Sequence, residues 1–214
     1  MYLFIYGLII YKTKIYFMKF LFDLGGVFFD WDPDYFFKNI IIDTKEREYF
    51  LTQVCNDEWN AKQDQGRLIR DAENELIEIF PNYENLIKMY YKNHRKMIKK
   101  TFKNSIEVLF DLKKRNYECY VLSNWSSETF YGMIDDYPFL KKFNGLIISG
   151  EEKLLKPNPD IYNLAISRFN LIPKQTIFID DKLININAAK KLGFKTIHLT
   201  NPLKIKDKIN YFLI

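Results

Sequence analysis

Three stretches of the chain are continuously apolar, and each stops abruptly on polar residues. Phe20 to Val27 reads Phe-Leu-Phe-Asp-Leu-Gly-Gly-Val, so its first apolar run ends on Asp23, with Gly25 and Gly26 close behind. Glu118 to Asn124 reads Glu-Cys-Tyr-Val-Leu-Ser-Asn, and Gln175 to Asp181 reads Gln-Thr-Ile-Phe-Ile-Asp-Asp. Runs without polar alternation suit strands covered on both faces, as in a parallel α/β sheet, where ligands bind beyond the carboxyl ends of the strands. The pattern therefore predicts that Asp23, Ser123, Asn124, Asp180 and Asp181 arrive at one sheet edge. After the third run, Ile184 to Leu192 reads as a helix stopped by Gly193.

Between the first two runs the texture changes. Pro33 to Lys103 lacks strand-like runs, while Leu76, Ile79 and Phe80, then Leu86, Met89, Tyr90 and Met97, recur at helical spacing. Pro81-Asn82 separates two of these helices, and Gln65-Gly66 reads as a turn before another that begins near Ile69. The expected organisation is an α/β core over 18–32 and 104–214, interrupted by an α-helical cap over 33–103. A chain of 214 residues without repeats or low-complexity linkers holds one core and one such insert. A cap closing over the strand ends would exclude water and select the substrate. Trp31, Trp59, Asn60, Gln63 and Arg67 are its candidate contacts, with packing inside the cap by Trp59 and helix capping by Arg67 as the structural alternatives. His94 falls on a cap helix and His198 ends the last core strand, neither with a partner at ligand or triad spacing.

Lys156 lies in Leu-Leu-Lys-Pro-Asn-Pro, where two prolines exclude helix and central strand and leave a fixed loop. Taken singly, Asp23 could form a turn, Ser123-Asn124 could cap a helix, Lys156 could be solvated and Asp180-Asp181 could be a capping pair. Together and in this order, each set after an apolar strand or held by proline, they argue for one shared site. Three carboxylates with no Cys or His at ligand spacing form a hard oxygen donor set suited to Mg²⁺ rather than to zinc or iron. A lysine and a Ser/Asn pair beside that ion can hold an anion through charge-assisted hydrogen bonds. Phosphoryl transfer needs mainly positioning and charge neutralisation, and a carboxylate can serve as its covalent acceptor.

With these residues in place, the chain resembles the haloacid dehalogenase (HAD) superfamily, in particular its phosphatases with a small helical cap. The resemblance runs from about Lys19 to about Leu199. It is carried by Phe-Asp-Leu-Gly-Gly-Val, Val-Leu-Ser-Asn, Lys-Pro-Asn-Pro-Asp-Ile-Tyr and Phe-Ile-Asp-Asp-Lys-Leu-Ile-Asn-Ile-Asn-Ala-Ala-Lys-Lys-Leu-Gly. Members with Asp-Leu-Gly in the first motif include bacterial sugar phosphatases acting on glucose 1-phosphate. The resemblance implies a Rossmann-like core with a helical cap, and a Mg²⁺-dependent hydrolase working through a phosphoaspartate. It casts Asp23 as nucleophile and Lys156 as the neutralising cation. Ser123, by its hydroxyl, and Asn124, by its backbone N–H, would bind the phosphoryl group. Asp23, the Gly25 carbonyl, Asp180 and Asp181 would hold the metal.

The sequence departs from that family at Gly25. Its phosphatases usually carry there a second Asp that protonates the leaving group and later activates water. Glycine keeps the carbonyl but removes the acid, a loss of about 10²- to 10⁴-fold where the leaving group is poor. Anomeric, acyl and aryl phosphates would then be favoured over alkyl esters. Asp30 and Asp32, in Phe-Phe-Asp-Trp-Asp-Pro, are near enough in sequence to be considered as replacements, but Asp32 reads as a turn former before Pro33 and Asp30 as solvated.

The net charge of +5 comes from lysines scattered as pairs, such as Lys113-Lys114 and Lys190-Lys191. These read as solvated helix faces, so the expected partner is a small phosphorylated metabolite and not nucleic acid. Cys55 and Cys119 form no CxxC, which suits a reduced, cytoplasmic setting. Met1 to Phe17 is too short and too interrupted to span a bilayer and lacks a signal-peptide layout, so we expect no stable membrane insertion and read it as an extension from a start assigned too early. A monomer or homodimer is expected. Two further readings compete: a dehalogenase, which needs no metal and leaves Asp180-Asp181 unexplained, and a phosphate-binding protein that lost turnover with the acid at position 25.

Overall fold

A computed structural model describes residues 18–213, so the expectation for 1–17 lies outside the described residues. Each apolar run becomes a central strand. The sheet is five-stranded and parallel in the order β5-β4-β1-β6-β7, from β1 (Lys19–Phe22), β4 (Glu118–Ser123), β5 (Gly145–Ile148), β6 (Thr176–Asp180) and β7 (Lys195–His198). Alternate residues of the strands feed two separate cores. Phe20, Phe22, Val121 and Ile179 face one side; Leu21, Tyr120, Leu122 and Phe178 face the other. Coverage on both faces is why these strands carry no polar alternation.

Among the described residues, five α-helices precede β4's own crossover helix: α1 (Asp34–Phe37), α2 (Thr44–Tyr49), α3 (Asp57–Asp64), α4 (Ile69–Ile79) and α5 (Glu84–Lys92). The core helices are α6 (Lys103–Lys114), α7 (Ser127–Phe130), α8 (Ser149–Glu152), α9 (Pro159–Arg168), α10 (Leu183–Lys191) and α11 (Ile205–Leu213). α6 and α11 cover the first face of the sheet, and α9 and α10 the second. The family-like architecture expected from the sequence, an α/β core with a parallel sheet flanked by helices, is what the chain forms.

The helical segment α1–α5 closes on a third hydrophobic cluster of its own, which includes Phe37, Phe50, Trp59, Leu76, Ile87 and Tyr90. Helical periodicity does not hold to the end of this segment. Ile98–Thr101 is a strand, β3, paired antiparallel with β2 (Phe29–Trp31). Its sequence, Ile-Lys-Lys-Thr, is too short and too charged to announce a strand, and the pairing with β2 supplies what local pattern lacks.

Topology fixes where a ligand can sit. β4, the next core strand in sequence, lies on one side of β1, whereas β6 lies on the other. The winding therefore reverses at β1 and opens a crevice beyond its carboxyl end.

Candidate active site

Asp23 stands one residue past β1, and its N–H continues the ladder by donating to the Ile179 carbonyl at 2.9 Å. Ser123 closes β4, Asp180 closes β6, and Lys156 sits on the loop leading to α9, whose first residue is Pro159 and whose N-cap is Asn158. The structure brings all of these together. Lys156 Nζ lies 2.9 Å from Asp23 Oδ1 and 2.7 Å from Asp180 Oδ2, with its side chain only 1% exposed. Ser123 Oγ donates to the same Asp23 oxygen at 2.8 Å. Both bonds thus fall on Oδ1, and Oδ2 accepts none among the described residues.

Asn124 spends its side chain on Lys156. Its Oδ1 accepts from the Lys156 N–H at 2.9 Å, and its Nδ2 donates to the Lys156 carbonyl at 3.0 Å. This two-point clamp fixes the loop and leaves the Asn124 backbone N–H for a ligand.

The two acids after β6 do different work. Asp180 is fully buried and accepts from Lys156, from the Lys182 N–H at 2.8 Å, and from Asn185 Nδ2 at 3.1 Å to each of its oxygens. Those bonds fill the acceptor sites of a carboxylate. Asp181, by contrast, has a buried Oδ1 with no hydrogen-bond partner. Carboxylate oxygens of Asp23, Asp180 and Asp181 all lie within 4.8 Å of one another. An orphaned buried acceptor in an all-oxygen cluster fits a divalent cation of the Mg²⁺ type. Asp181 is the freest of the three to ligate it, while Asp180 chiefly holds Lys156 in place.

Burial pushes the Asp23 carboxyl above its ordinary value, and Lys156 offsets that shift only in part. Burial, then the negative charges of Asp23 and Asp180, raise Asp181 to about 6. Burial pulls the Lys156 ammonium down, but the two carboxylates overcome it and the net shift is upward. A cation between two acids is how this cluster tolerates its desolvation.

The glycines are not equivalent. Gly26 has φ +65°, and a Cβ there would lie 2.4 Å from Asp181 Cγ, so only glycine lets Asp181 approach. A Cβ on Gly25 would meet nothing within 4 Å. No packing demand imposes glycine at that position.

Above the cluster lies a cavity of about 770 Å³, walled on the opposite side by the helical segment. Of the candidate contacts, Trp31 and Asn60 line it. Trp59 packs inside the segment and donates Nε1 to the Ala72 carbonyl, Gln63 is buried and donates to the Trp59 carbonyl at 2.6 Å, and Arg67 pairs with Glu75. Asp30 accepts from Tyr35 Oη at 2.8 Å, and Asp32 accepts from the Asp34 N–H at the start of α1, as the turn reading expects. Sequence reasoning missed Asn185, Asp64 and His94 as members of the cavity wall. Asn185 had a signal in its position one turn beyond the Asp180-Asp181 pair. Asp64 and His94 had none, because only tertiary folding brings α3 and the segment after α5 over the strand ends.

A model of the haloacid dehalogenase-like hydrolases matches residues 34–199, and the chain belongs to that family. It is 25% identical over 185 residues to a sesquiterpene phosphatase of Aspergillus oryzae, covering 86% of this chain and 90% of that protein. It is 23% identical over 206 residues to a D-ribitol-5-phosphate phosphatase of Bacteroides thetaiotaomicron, covering 90% and 97%. Among solved structures, it resembles a HAD family enzyme of the latter organism in complex with magnesium and inorganic phosphate, with TM-score 0.65, 22% identity, and coverage of 85% of this chain and 93% of that one. A HAD-like hydrolase of Porphyromonas gingivalis superposes with TM-score 0.70 at 20% identity, over 92% and 98%.

Proposed function

We propose that this hydrolase is a Mg²⁺-dependent phosphatase of small phosphometabolites, acting on sugar or polyol phosphates through a phosphoaspartate on Asp23. The observation that carries the reading is the arrangement around Asp23. Lys156 and Ser123 fix one carboxylate oxygen and leave the other for attack, at the mouth of a cavity large enough for a phosphorylated sugar. The phosphatase names of the two full-length relatives support it.

In this reading Asp23 attacks phosphorus, the P–O bond to the alcohol breaks, and water later attacks the phosphoaspartate. Lys156 and the Asn124 backbone N–H stabilise the phosphoryl oxygens. The Ser123 hydroxyl, which donates to Asp23 in this structure, turns to join them. Asp23, the Gly25 carbonyl and Asp181, with Asp180 beside them, would hold Mg²⁺, which would offset the repulsion between nucleophile and phosphate. The segment α1–α5 acts as the cap that excludes bulk water. Asn56, Asn60 and Trp31 on the cavity wall supply the amide and aromatic groups suited to a polyol.

The test is phosphate release from a panel of anomeric, aryl and alkyl phosphates, with and without Mg²⁺, for the wild type and Asp23→Asn. Turnover should depend on both the metal and Asp23. Turnover that survives Asp23→Asn would exclude the covalent route, and a folded, Mg²⁺-binding protein without turnover would favour the phosphate-binding alternative that Gly25 suggests.

A further inference from the structure

We propose that Asp64, at the end of α3 on the cavity wall, is the general acid and base of this enzyme, supplied from the helical segment in place of the acid missing at position 25. The inference rests on the phosphatase reading above. An alkoxide leaving from phosphorus needs a proton, and the resulting phosphoenzyme needs a base to activate water. Asp23, Asp180, Asp181 and Lys156 are committed to attack, charge balance and metal. The proton must come from elsewhere on the cavity wall.

The remaining titratable groups on that wall are few. Asp32 is tied to the start of α1. Asp57, Glu58 and Lys182 are exposed to bulk water. His94 is buried, with burial pushing its imidazole down to about 4, so it is neutral near pH 7 and has no acidic proton to give. Asp64 differs from all of them in where it is held. The Ser126 backbone N–H lies against its carboxylate and favours the anion. Ser126 follows Asn124 by two residues, a span of at most about 7 Å, so the acid is anchored to the same loop that receives the phosphoryl group. Asn60 Nδ2 donates to its Oδ2 at 3.2 Å, and Tyr91 Oη in turn holds Asn60 Oδ1 at 2.8 Å. Its own carbonyl accepts from Ser149 Oγ, which pins the end of α3 to the core.

The charged groups facing it are Lys182, which favours the anion, and Asp23, which opposes it, with the Tyr91 phenol nearby. Burial is the largest influence and raises the carboxyl to about 7. An acid poised there can both give and take a proton near neutral pH.

The steps balance. As Asp23 bonds to phosphorus, the electron pair of the breaking P–O bond passes to the leaving oxygen, which takes the Asp64 proton and departs as the alcohol. Asp64, now a carboxylate, takes a proton from water as the water oxygen attacks the phosphoaspartate. Asp23 leaves as a carboxylate, inorganic phosphate is released, and Asp64 is again protonated. Alkyl phosphates thereby become competent substrates despite Gly25.

Asp64→Asn keeps the size and the bond to Asn60 but cannot transfer a proton. It should lower kcat/KM on ribitol 5-phosphate by about 10²- to 10³-fold and that on 4-nitrophenyl phosphate, whose leaving group needs no proton, by less than about 5-fold, while kcat falls on both because hydrolysis of the shared phosphoenzyme loses its base. The wild-type pH profile on the alkyl ester should show an ionisation near 7 that the variant lacks. Gly25→Asp in the Asp64→Asn background should recover the alkyl activity, since the space at position 25 is open. An equal fall in kcat/KM on both esters, or an unchanged alkyl rate and pH profile, would overturn the proposal and make Asp64 a tie between the two halves of the chain. Asp23→Asn run alongside separates the two readings: loss of all turnover there, with no leaving-group dependence at Asp64, sinks the inference and spares the phosphatase. If the wild type hydrolyses neither ester, both fall.

Discussion

Replacing Lys156 by Met would remove one positive charge while nearly conserving length, and its cost follows from what the ammonium holds apart. The Lys156 and Asp180 side chains are 1% and 0% exposed, and that of Asp23 is 9% exposed. Water cannot take over the lysine's role. Removing one partner of a buried ion pair costs about 3 to 5 kcal/mol, because the other charge is left uncompensated. Asp180 keeps its bonds from Asn185 and Lys182, but Asp23 keeps only Ser123, so the strain falls on Asp23. The folded variant relieves it by protonation. With its carboxyl higher in the folded than in the unfolded chain, the folded state binds the extra proton, and stability falls as pH rises above about 4 until the folded value is passed. The deficit against wild type should therefore be small near pH 5 and reach the full 3 to 5 kcal/mol by pH 8, on the order of 10 °C in Tm for a chain of this size. Urea unfolding followed by circular dichroism, with EDTA present so that no cation substitutes for the lysine, measures it. A loss equal at pH 5 and pH 8, or below about 1 kcal/mol at pH 8, would refute the reasoning.

Gly26→Ala should cost about 1 to 2 kcal/mol for its left-handed backbone alone, and should also weaken Mg²⁺ binding by moving Asp181; calorimetric titration with Mg²⁺ and a thermal melt read the two effects separately. In the same titration, Asp181→Asn should weaken Mg²⁺ binding more than tenfold and more than Asp180→Asn, whose main effect should be the loosening of Lys156; the reverse order would reassign the two acids. His94 sits well below its ordinary value, at about 4, so its contribution to stability is complete above pH 6.5 and is lost as pH falls toward 4. His94→Phe should flatten that acid limb of the stability profile, and a limb that persists would assign it to other groups.

The sheet and the polar cluster at its edge were legible in the sequence because both are local consequences of one pattern. A strand buried on two faces writes an uninterrupted apolar run, and its end writes the residue presented to the crevice, as at Asp23, Ser123 and Asp180. Lys156 was legible through its flanking prolines. What could not be read were side chains whose role depends on segments distant in sequence. Asp64 ends a helix and looks like any surface acid until α3 is laid over the loop at Ser126. The separate duties of Asp180 and Asp181 depend on Asn185 and Lys182, whose bonds are angular facts that spacing does not encode. β3 was hidden because its partner β2 lies almost seventy residues away in sequence.

The helical segment gathers its apolar residues into a cluster of its own and is tied to the core in part through single polar links: the Ser149 hydroxyl to the Asp64 carbonyl, Glu128 to the Ile69 N–H, and Arg95 to the Gly132 carbonyl. Such a division separates what a lineage can alter from what it must keep. Substitutions that reshape the cavity roof fall in a segment with its own hydrophobic cluster, so new specificities can be sampled while the residues around Asp23 stay in register.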